Sequence, residues 1–284
     1  MKYFALIFLF FAVLVSAQST ESCCPAEEDS CSEDKMAKFA GDENFVEAHK
    51  NPLSADYTDF KGSMVPLKVN NSFTAQMYLV PSATPSNKYL FVIHEWWGLN
   101  DHIKKETDNF ALHLEGVNLI ALDLYEGKIA STQQEASTYI KEVNPALATE
   151  TIVAALNYTG DDGEVAVVGW CFGGGWAIQT AILGESKVKA CVFYYGMPEN
   201  DPAKLSKISA PVLGIIAEKD GWITPQIASD FESKMNELGK SVQILLYDAV
   251  HAFANPSNPD YDHNAANDAL ANSLKFFGKH FHKK

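Results

Sequence analysis

Three residue types that together can break an acyl bond occur late in the chain, in the order Cys171, Asp220, His251. A thiol is a strong nucleophile once its proton is removed. An imidazole can remove it, and a carboxylate can fix that imidazole in the right tautomer. Cys171 lies in Gly169-Trp170-Cys171-Phe172-Gly173-Gly174-Gly175, between an apolar run and a segment with helical spacing that starts near Trp176. This is the pattern of a nucleophile elbow with cysteine in place of serine. The glycines make steric sense, because a nucleophile raised on a tight strand-to-helix turn leaves no room for bulky neighbours. A helix N-terminus behind the thiol also favours the thiolate. Two other readings exist for the turn alone. A dinucleotide cradle would want G-x-G-x-x-G, or a Gly-Lys-Ser/Thr that does not follow. An inert buried thiol is common in any core. The partners decide for chemistry: Asp220 stands just past the apolar run Val212–Ala217, and His251 four residues beyond Tyr247.

Those placements need a scaffold, and the chain supplies one. Phe73–Val80 alternates apolar and polar residues up to Pro81, as a half-buried strand does. Tyr89–Ile93, Val117–Leu122, Val165–Val168, Val188–Tyr194, Val212–Ala217 and Val242–Tyr247 are short continuous apolar runs. Such runs fit strands covered on both faces of a parallel sheet. Between them, Ile103–Leu114, Thr132–Val143, Pro145–Leu156, Ile227–Leu238 and Ala265–Phe281 have helical spacing. The alternation predicts a mostly parallel, doubly wound α/β sheet without a large cap domain. In such sheets ligands sit beyond the carboxyl ends of the strands. The residues placed there are His94-Glu95-Trp96-Trp97-Gly98, Asp123-Leu124-Tyr125, the Cys171 turn, Asp220 and His251. The order Cys, Asp, His is also that of the α/β-hydrolase triad.

With these motifs in view, the chain from about Tyr57 onward resembles the dienelactone hydrolase family. The resemblance rests on His94 to Asn100, Asp123-Leu124-Tyr125, Gly169 to Gly174, Glu218-Lys219-Asp220 and His251-Ala252-Phe253. It implies an α/β-hydrolase fold and a cysteine-dependent hydrolysis of esters or lactones through an acyl-enzyme. It further implies that Glu95 contacts the resting thiol, and that the backbone N–H groups of Trp96 and Phe172 form the oxyanion hole. A carboxylate beside a thiol would raise its pKa and keep it quiet until substrate displaces it. Trp97, Tyr125, Trp170, Trp222 and Phe253 flank the motifs and are candidates to line an apolar pocket. The resemblance has a gap. Where the best-known members grip a substrate carboxylate with arginines, this chain has Gly127 and Asn255, and Ala252 stands where a serine is usual. The catalytic set carries over; the dienelactone substrate does not. A thioesterase using the same triad, or a binding or redox protein on a hydrolase fold, are the alternatives.

The whole chain bounds the rest. All 22 basic residues among its 284 are lysines, and the net charge is −14. That charge argues against nucleic acid as a partner, and a small-molecule ester or lactone bound by a monomer is expected instead. No metal and no organic cofactor are expected, since His94 has no second ligand at sensible spacing. Lys2 followed by the apolar run Phe4–Val15 and by Val15-Ser16-Ala17 reads as a signal peptide over residues 1–17. The expectation is therefore export, periplasmic or secreted, without a stable membrane anchor. Residues 18–56 read as an acidic, mobile tail: from Gln18 to Phe60, acidic residues outnumber lysines by 11 to 3. Cys23, Cys24 and Cys31 lie in it and could form a local disulfide in an oxidising compartment. The domain proper is expected over residues 57–284, with the site wholly inside it.

Overall fold

Eight strands form one sheet, the carboxyl ends of all but β2 line up at a single edge, and that alignment positions everything that follows. The computed structural model describes Met1 and residues 34–281, of which residues 32 onward belong to one unit. The expected signal peptide and Cys23, Cys24 and Cys31 lie outside the described residues. Among those described, no helix is long and apolar enough to cross a membrane.

In chain order the elements are α1 (Glu43–Ala48), β1 (Ser63–Lys68), β2 (Thr74–Val80), β3 (Lys88–Ile93), α2 (Asp101–His113) and β4 (Asn118–Leu122). There follow α3 (Gln133–Glu142), α4 (Pro145–Tyr158), β5 (Glu164–Trp170), α5 (Phe172–Gly184) and β6 (Val188–Tyr194). The chain ends with α6 (Pro202–Leu205), β7 (Val212–Ala217), α7 (Pro225–Glu237), β8 (Val242–Tyr247) and α8 (His263–His280). The sheet order is β1-β2-β4-β3-β5-β6-β7-β8. β2 pairs antiparallel with both β1 and β4, and every other pairing is parallel. The expected apolar runs are strands of this sheet, and all six residues of β7 are buried. Val242–Tyr247 departs from the expected double cover, because β8 is an edge strand with none of its residues buried. The outer strand β1 carries Pro66, which an edge tolerates because a ladder donor is not needed there. That proline, breaking the apolar pattern, is why the sequence did not announce β1.

Chain connections diverge on either side of β3, which lies between β4 and β5. Such a switch point opens a crevice at the strand ends. Register sets the depth of each end: Ile93 pairs with Leu122 on one side and with Gly169 on the other. Tyr194 pairs with Ile215, and Ala217 with Tyr247. The residues just past these pairs, Glu95, Asp123, Cys171, Tyr195, Asp220 and His251, are therefore delivered to one region.

The turn after β5 is tighter than the sequence suggested. α5 begins at Phe172, directly after Cys171, and not near Trp176. Cys171 takes φ 52 and ψ −114, a left-handed conformation rare for a residue with a Cβ. Two glycines make that possible. A Cβ on Gly169 would lie 2.1 Å from the Gly173 carbonyl oxygen, and one on Gly173 would lie 2.3 Å from that of Ile93.

The expected mobile tail is corrected over its second part. Met36, Phe45 and His49 are buried, and Phe45 belongs to the main core. The segment is fastened along its length: Gln133 Nε2 donates to the Val46 carbonyl, and Ser137 Oγ to that of Ala40. Leu53 N–H donates to the Ser257 carbonyl, and Lys35 pairs with Glu199 at 2.7 Å. An acidic composition misled here, because α1 turns its one aromatic residue, Phe45, inward and leaves Glu43 and Glu47 in solvent.

Gly169→Ala should destabilise the fold by at least about 1–3 kcal/mol, since backbone must shift to admit the methyl group. Gly278→Ala, in α8 with nothing within 4 Å of the added carbon, should instead stabilise by about 0.5–1 kcal/mol. Urea denaturation of both variants checks the contrast, and equal effects would contradict the close-packed turn.

Candidate active site

Cys171, His251 and Asp220 converge from three strand ends. His251 Nε2 lies 3.4 Å from Cys171 Sγ, and His251 Nδ1 lies 2.5 Å from Asp220 Oδ2. Asp220 is held in turn by the N–H groups of Trp222 and Ile223, both 2.9 Å from Oδ1. A carboxylate oxygen there accepts, so Nδ1 carries the proton and Nε2 faces the thiol with its lone pair. All three side chains are buried, Cys171 completely. Burial first, and the nearby Glu95 carboxyl second, push the thiol well above its ordinary pKa; the Phe172 N–H pulls the other way.

A second imidazole, missed in the sequence, shares the sulfur. His49 Nε2 lies 3.9 Å from Cys171 Sγ. It comes from the end of α1, and its Nδ1 donates to the Phe45 carbonyl at 2.7 Å. Burial and the neighbouring His251 hold its pKa well below the usual imidazole range, so the ring is neutral. The one available signal was Phe45 and His49 four apart on a short helical turn, an apolar face within an acidic stretch. Phe45 locks the arrangement, its ring standing 5.6 Å from that of Trp96, 5.2 Å from that of Trp222 and 5.9 Å from that of His251. The segment thus closes the site over the thiol.

Glu95 is near, but the expected contact with the resting thiol is not made. Its oxygens are taken by Asn255 Nδ2 and by Tyr195 OH, the latter at 3.3 Å. Asn255 is itself fixed, because its Oδ1 accepts from the Ser257 N–H and hydroxyl at 2.8 and 2.7 Å. Among the described residues, the side chains within hydrogen-bond reach of the thiol are the two imidazoles, beside the backbone N–H of Phe172. Burial pushes the Glu95 carboxyl up to about 8.

The remaining candidates divide. The Phe172 N–H opens α5 at the thiol, and Trp96, within the turn after β3 closed by the Gly98 N–H on the Glu95 carbonyl, packs 4.3 Å from His49. Trp222 lies 6.2 Å from His251, and Trp97 stacks behind Trp96. Tyr125 packs on Phe172 and His94, and its buried hydroxyl has no hydrogen-bond partner among the described residues, as is also true of the Trp96 indole N–H. Trp170 does not join them: its ring packs on Phe110 and Tyr194. Phe253 packs between Tyr195 and Tyr247 as core. His94 is structural, donating from Nδ1 to the Glu95 carbonyl and accepting at Nε2 from the Leu124 N–H. Lys128, the basic residue closest in sequence to the Asp123 motif, is tied at the surface to Glu142 at 2.8 Å.

An open-edged, mostly parallel sheet with a Cys-His-Asp cluster at the elbow defines an α/β-hydrolase. Comparison with known proteins narrows this. Residues 75–281 match the dienelactone hydrolase family, and the chain belongs to it. It is 32% identical over 202 residues to the protein usf of Aquifex pyrophilus, covering 66% of this chain and 86% of that one. It is 24% identical over 212 residues to carboxymethylenebutenolidase 1 of Cupriavidus pinatubonensis, covering 70% and 88%. Among solved structures, a dienelactone hydrolase-like promiscuous phosphotriesterase from metagenomic libraries superposes with a TM-score of 0.66 at 19% identity. That match spans 78% of this chain and 99% of the other. The protein is a hydrolase of this family.

Two measurements test the site as built. Folded Glu95 keeps its proton to about 8, whereas an exposed glutamate loses it near 4.5. Its contribution to stability is therefore fully present below the lower value and is lost as pH rises through the upper one. Glu95→Gln, which copies the protonated acid, should match the parent near pH 4–5 and exceed it by ~2–4 kcal/mol near pH 8.5. Denaturation curves across that range check this, and a pH-independent difference would refute it. Separately, Phe45→Ala removes about 3–5 kcal/mol of burial from the closing segment. Alkylation of Cys171 by iodoacetamide, read by peptide mass spectrometry, should then speed up by at least about tenfold. An unchanged rate would mean that this segment is not what shields the thiol.

Proposed function

We propose that the protein hydrolyses neutral carboxylic esters or lactones with Cys171 as nucleophile, His251 as general base and acid, and Asp220 as its anchor. The observation that carries this reading is the Asp220–His251–Cys171 relay, with Nδ1 fixed as donor and Nε2 left to accept from the thiol. His251 takes the thiol proton as sulfur attacks the carbonyl carbon. Oxygen charge is received by the Phe172 N–H at the start of α5 and by that of Trp96. His251 then gives the proton to the leaving alkoxide, and a thioester on Cys171 remains. Water, deprotonated by the same ring, attacks that thioester, and the thiol is regenerated with release of the acid.

Substrate must first displace the closing segment, because His49 and Phe45 occupy the space above the sulfur. The apolar surfaces of Trp96 and Trp222 are then free to receive an acyl or ring group. Neutral substrates are favoured because a buried carboxylate needs a partner. The chain has no arginine, and Lys128 is engaged elsewhere. We assign the mature chain to an exported protein, on the strength of its N-terminal apolar run.

Cys171→Ala should lower kcat by at least about a thousandfold, and His251→Ala nearly as much, because such residues act as a unit. Rapid quench of the parent should trap an acyl group on Cys171. Ester hydrolysis undiminished in Cys171→Ala would exclude the mechanism. In paired substrates, the neutral member should show the higher kcat/KM at both low and moderate salt; a consistent preference for the carboxylate member would overturn the specificity.

A further inference from the structure

Hydrolysis by the relay needs one imidazole at the sulfur, yet the closed site holds two. The Nδ1 atoms of both rings are bound to groups that only accept: the Phe45 carbonyl for His49 and the Asp220 carboxylate for His251. Each ring therefore presents a bare Nε2 lone pair. Both point at Cys171 Sγ, at 3.9 and 3.4 Å, and the three atoms lie within 4.8 Å of one another. A thiol has one proton and can satisfy one lone pair. The other is buried without a donor, an arrangement folded proteins seldom keep.

We propose that His49, Cys171 and His251 form a closed-state site for a divalent transition metal of the zinc class, in which metal and acyl substrate compete for one sulfur. A thiolate with two imidazoles is a soft-to-borderline donor set, suited to zinc and unsuited to calcium or magnesium. Tetrahedral zinc, with bonds of about 2.3 Å to sulfur and 2.0 Å to nitrogen, holds its ligand atoms roughly 3.3–3.6 Å apart. The His251–Cys171 distance already matches, and the His49 ring must move by up to roughly 1.5 Å, since its Nε2 has to approach that of His251 as well as the sulfur. Metal-binding histidines typically donate their other N–H to a carboxylate or a backbone carbonyl. Here one does each.

Binding exchanges the thiol proton for the metal: Sγ–H and M²⁺ give an Sγ–M bond and one released proton, with no change of oxidation state. A fourth position is left for water. Because His49 arrives on the N-terminal segment, the metal also ties that segment down over the strand ends. The hydrolase reading does not depend on this site, and the test below does not depend on turnover.

The experiment uses the full chain with Cys23, Cys24 and Cys31 replaced by serine, so that those thiols cannot bind metal. Titration with Co²⁺ should give a thiolate-to-cobalt charge-transfer band and tetrahedral ligand-field absorption, saturating at one equivalent. Zn²⁺ should displace the cobalt and release one proton per site at neutral pH. His49→Gln should weaken the apparent affinity by at least about a hundredfold, and Cys171→Ser should abolish the charge-transfer band. Where His49→Gln fails to fold by circular dichroism, Cys171→Ser alone decides. No stoichiometric binding, or binding of unchanged affinity in His49→Gln, would overturn the proposal. So would a charge-transfer band that survives Cys171→Ser.

Discussion

The strained backbone at Cys171 is the constraint on which the rest of the structure depends. A left-handed residue with a side chain costs on the order of 1–3 kcal/mol, and it persists only where its surroundings over-determine it. Here the determination is steric and comes from both sides. Gly169 lets α5 come down onto β5, and Gly173 lets the same helix approach the end of β3. The helix axis then starts directly beneath the sulfur, so that its first N–H is available to an oxyanion. Tyr195 and Ala252, at φ 35 and 61, are strained at the ends of β6 and beside His251. Three of the five side-chain-bearing residues at positive φ among the described residues thus stand around one crevice, whereas Glu185 lies at the far end of α5.

Burial gives that crevice its electrostatic character. The thiol and the Glu95 carboxyl are both pushed toward their neutral forms by the loss of water. At rest Cys171, Glu95 and His49 are thus all held toward their neutral forms, beside the Asp220 side chain that two backbone N–H groups hold in place. Asn255 links Glu95 to the loop after His251, so the two sides of the crevice are joined through a hydrogen-bond chain ending at Ser257. A charge formed on sulfur or on oxygen during reaction would meet few competing charges, and oriented N–H groups would act on it at full strength.

Residue spacing revealed the scaffold well because inner parallel strands such as β6 and β7 are covered on both faces and read as unbroken apolar runs. The edge strand β8 carries a similar run although none of its residues is buried. β6, β7 and β8 fall where those runs predict, and Cys171, Asp220 and His251 meet because the runs end in register. What spacing could not show was which way side chains turn at the ends. Trp170 follows the pleat into the core, and Glu95 is drawn toward Asn255, a partner 160 residues away. His49 was hidden for another reason. Its helix has six residues and sits among acids, so its apolar face is one turn wide and carries little periodic signal.

Closure and recognition are coupled through the same surface. Phe45 covers Trp96 and Trp222, the aromatic groups an acyl chain or ring would use. While the segment is down, only the open fraction of molecules is competent, and apparent affinity falls by that fraction. A substrate recovers the loss only by offering apolar contact comparable to that of the displaced phenyl ring. Small polar esters cannot, and would be turned over slowly however well the relay is aligned. An apolar ring or chain of about the size of a phenyl group can, because burying it returns roughly 1.5–3 kcal/mol. On the proposed mechanism, the segment would act as a competing ligand carried by the enzyme itself, and would set a lower limit on the apolar size of any substrate cleaved efficiently at this thiol.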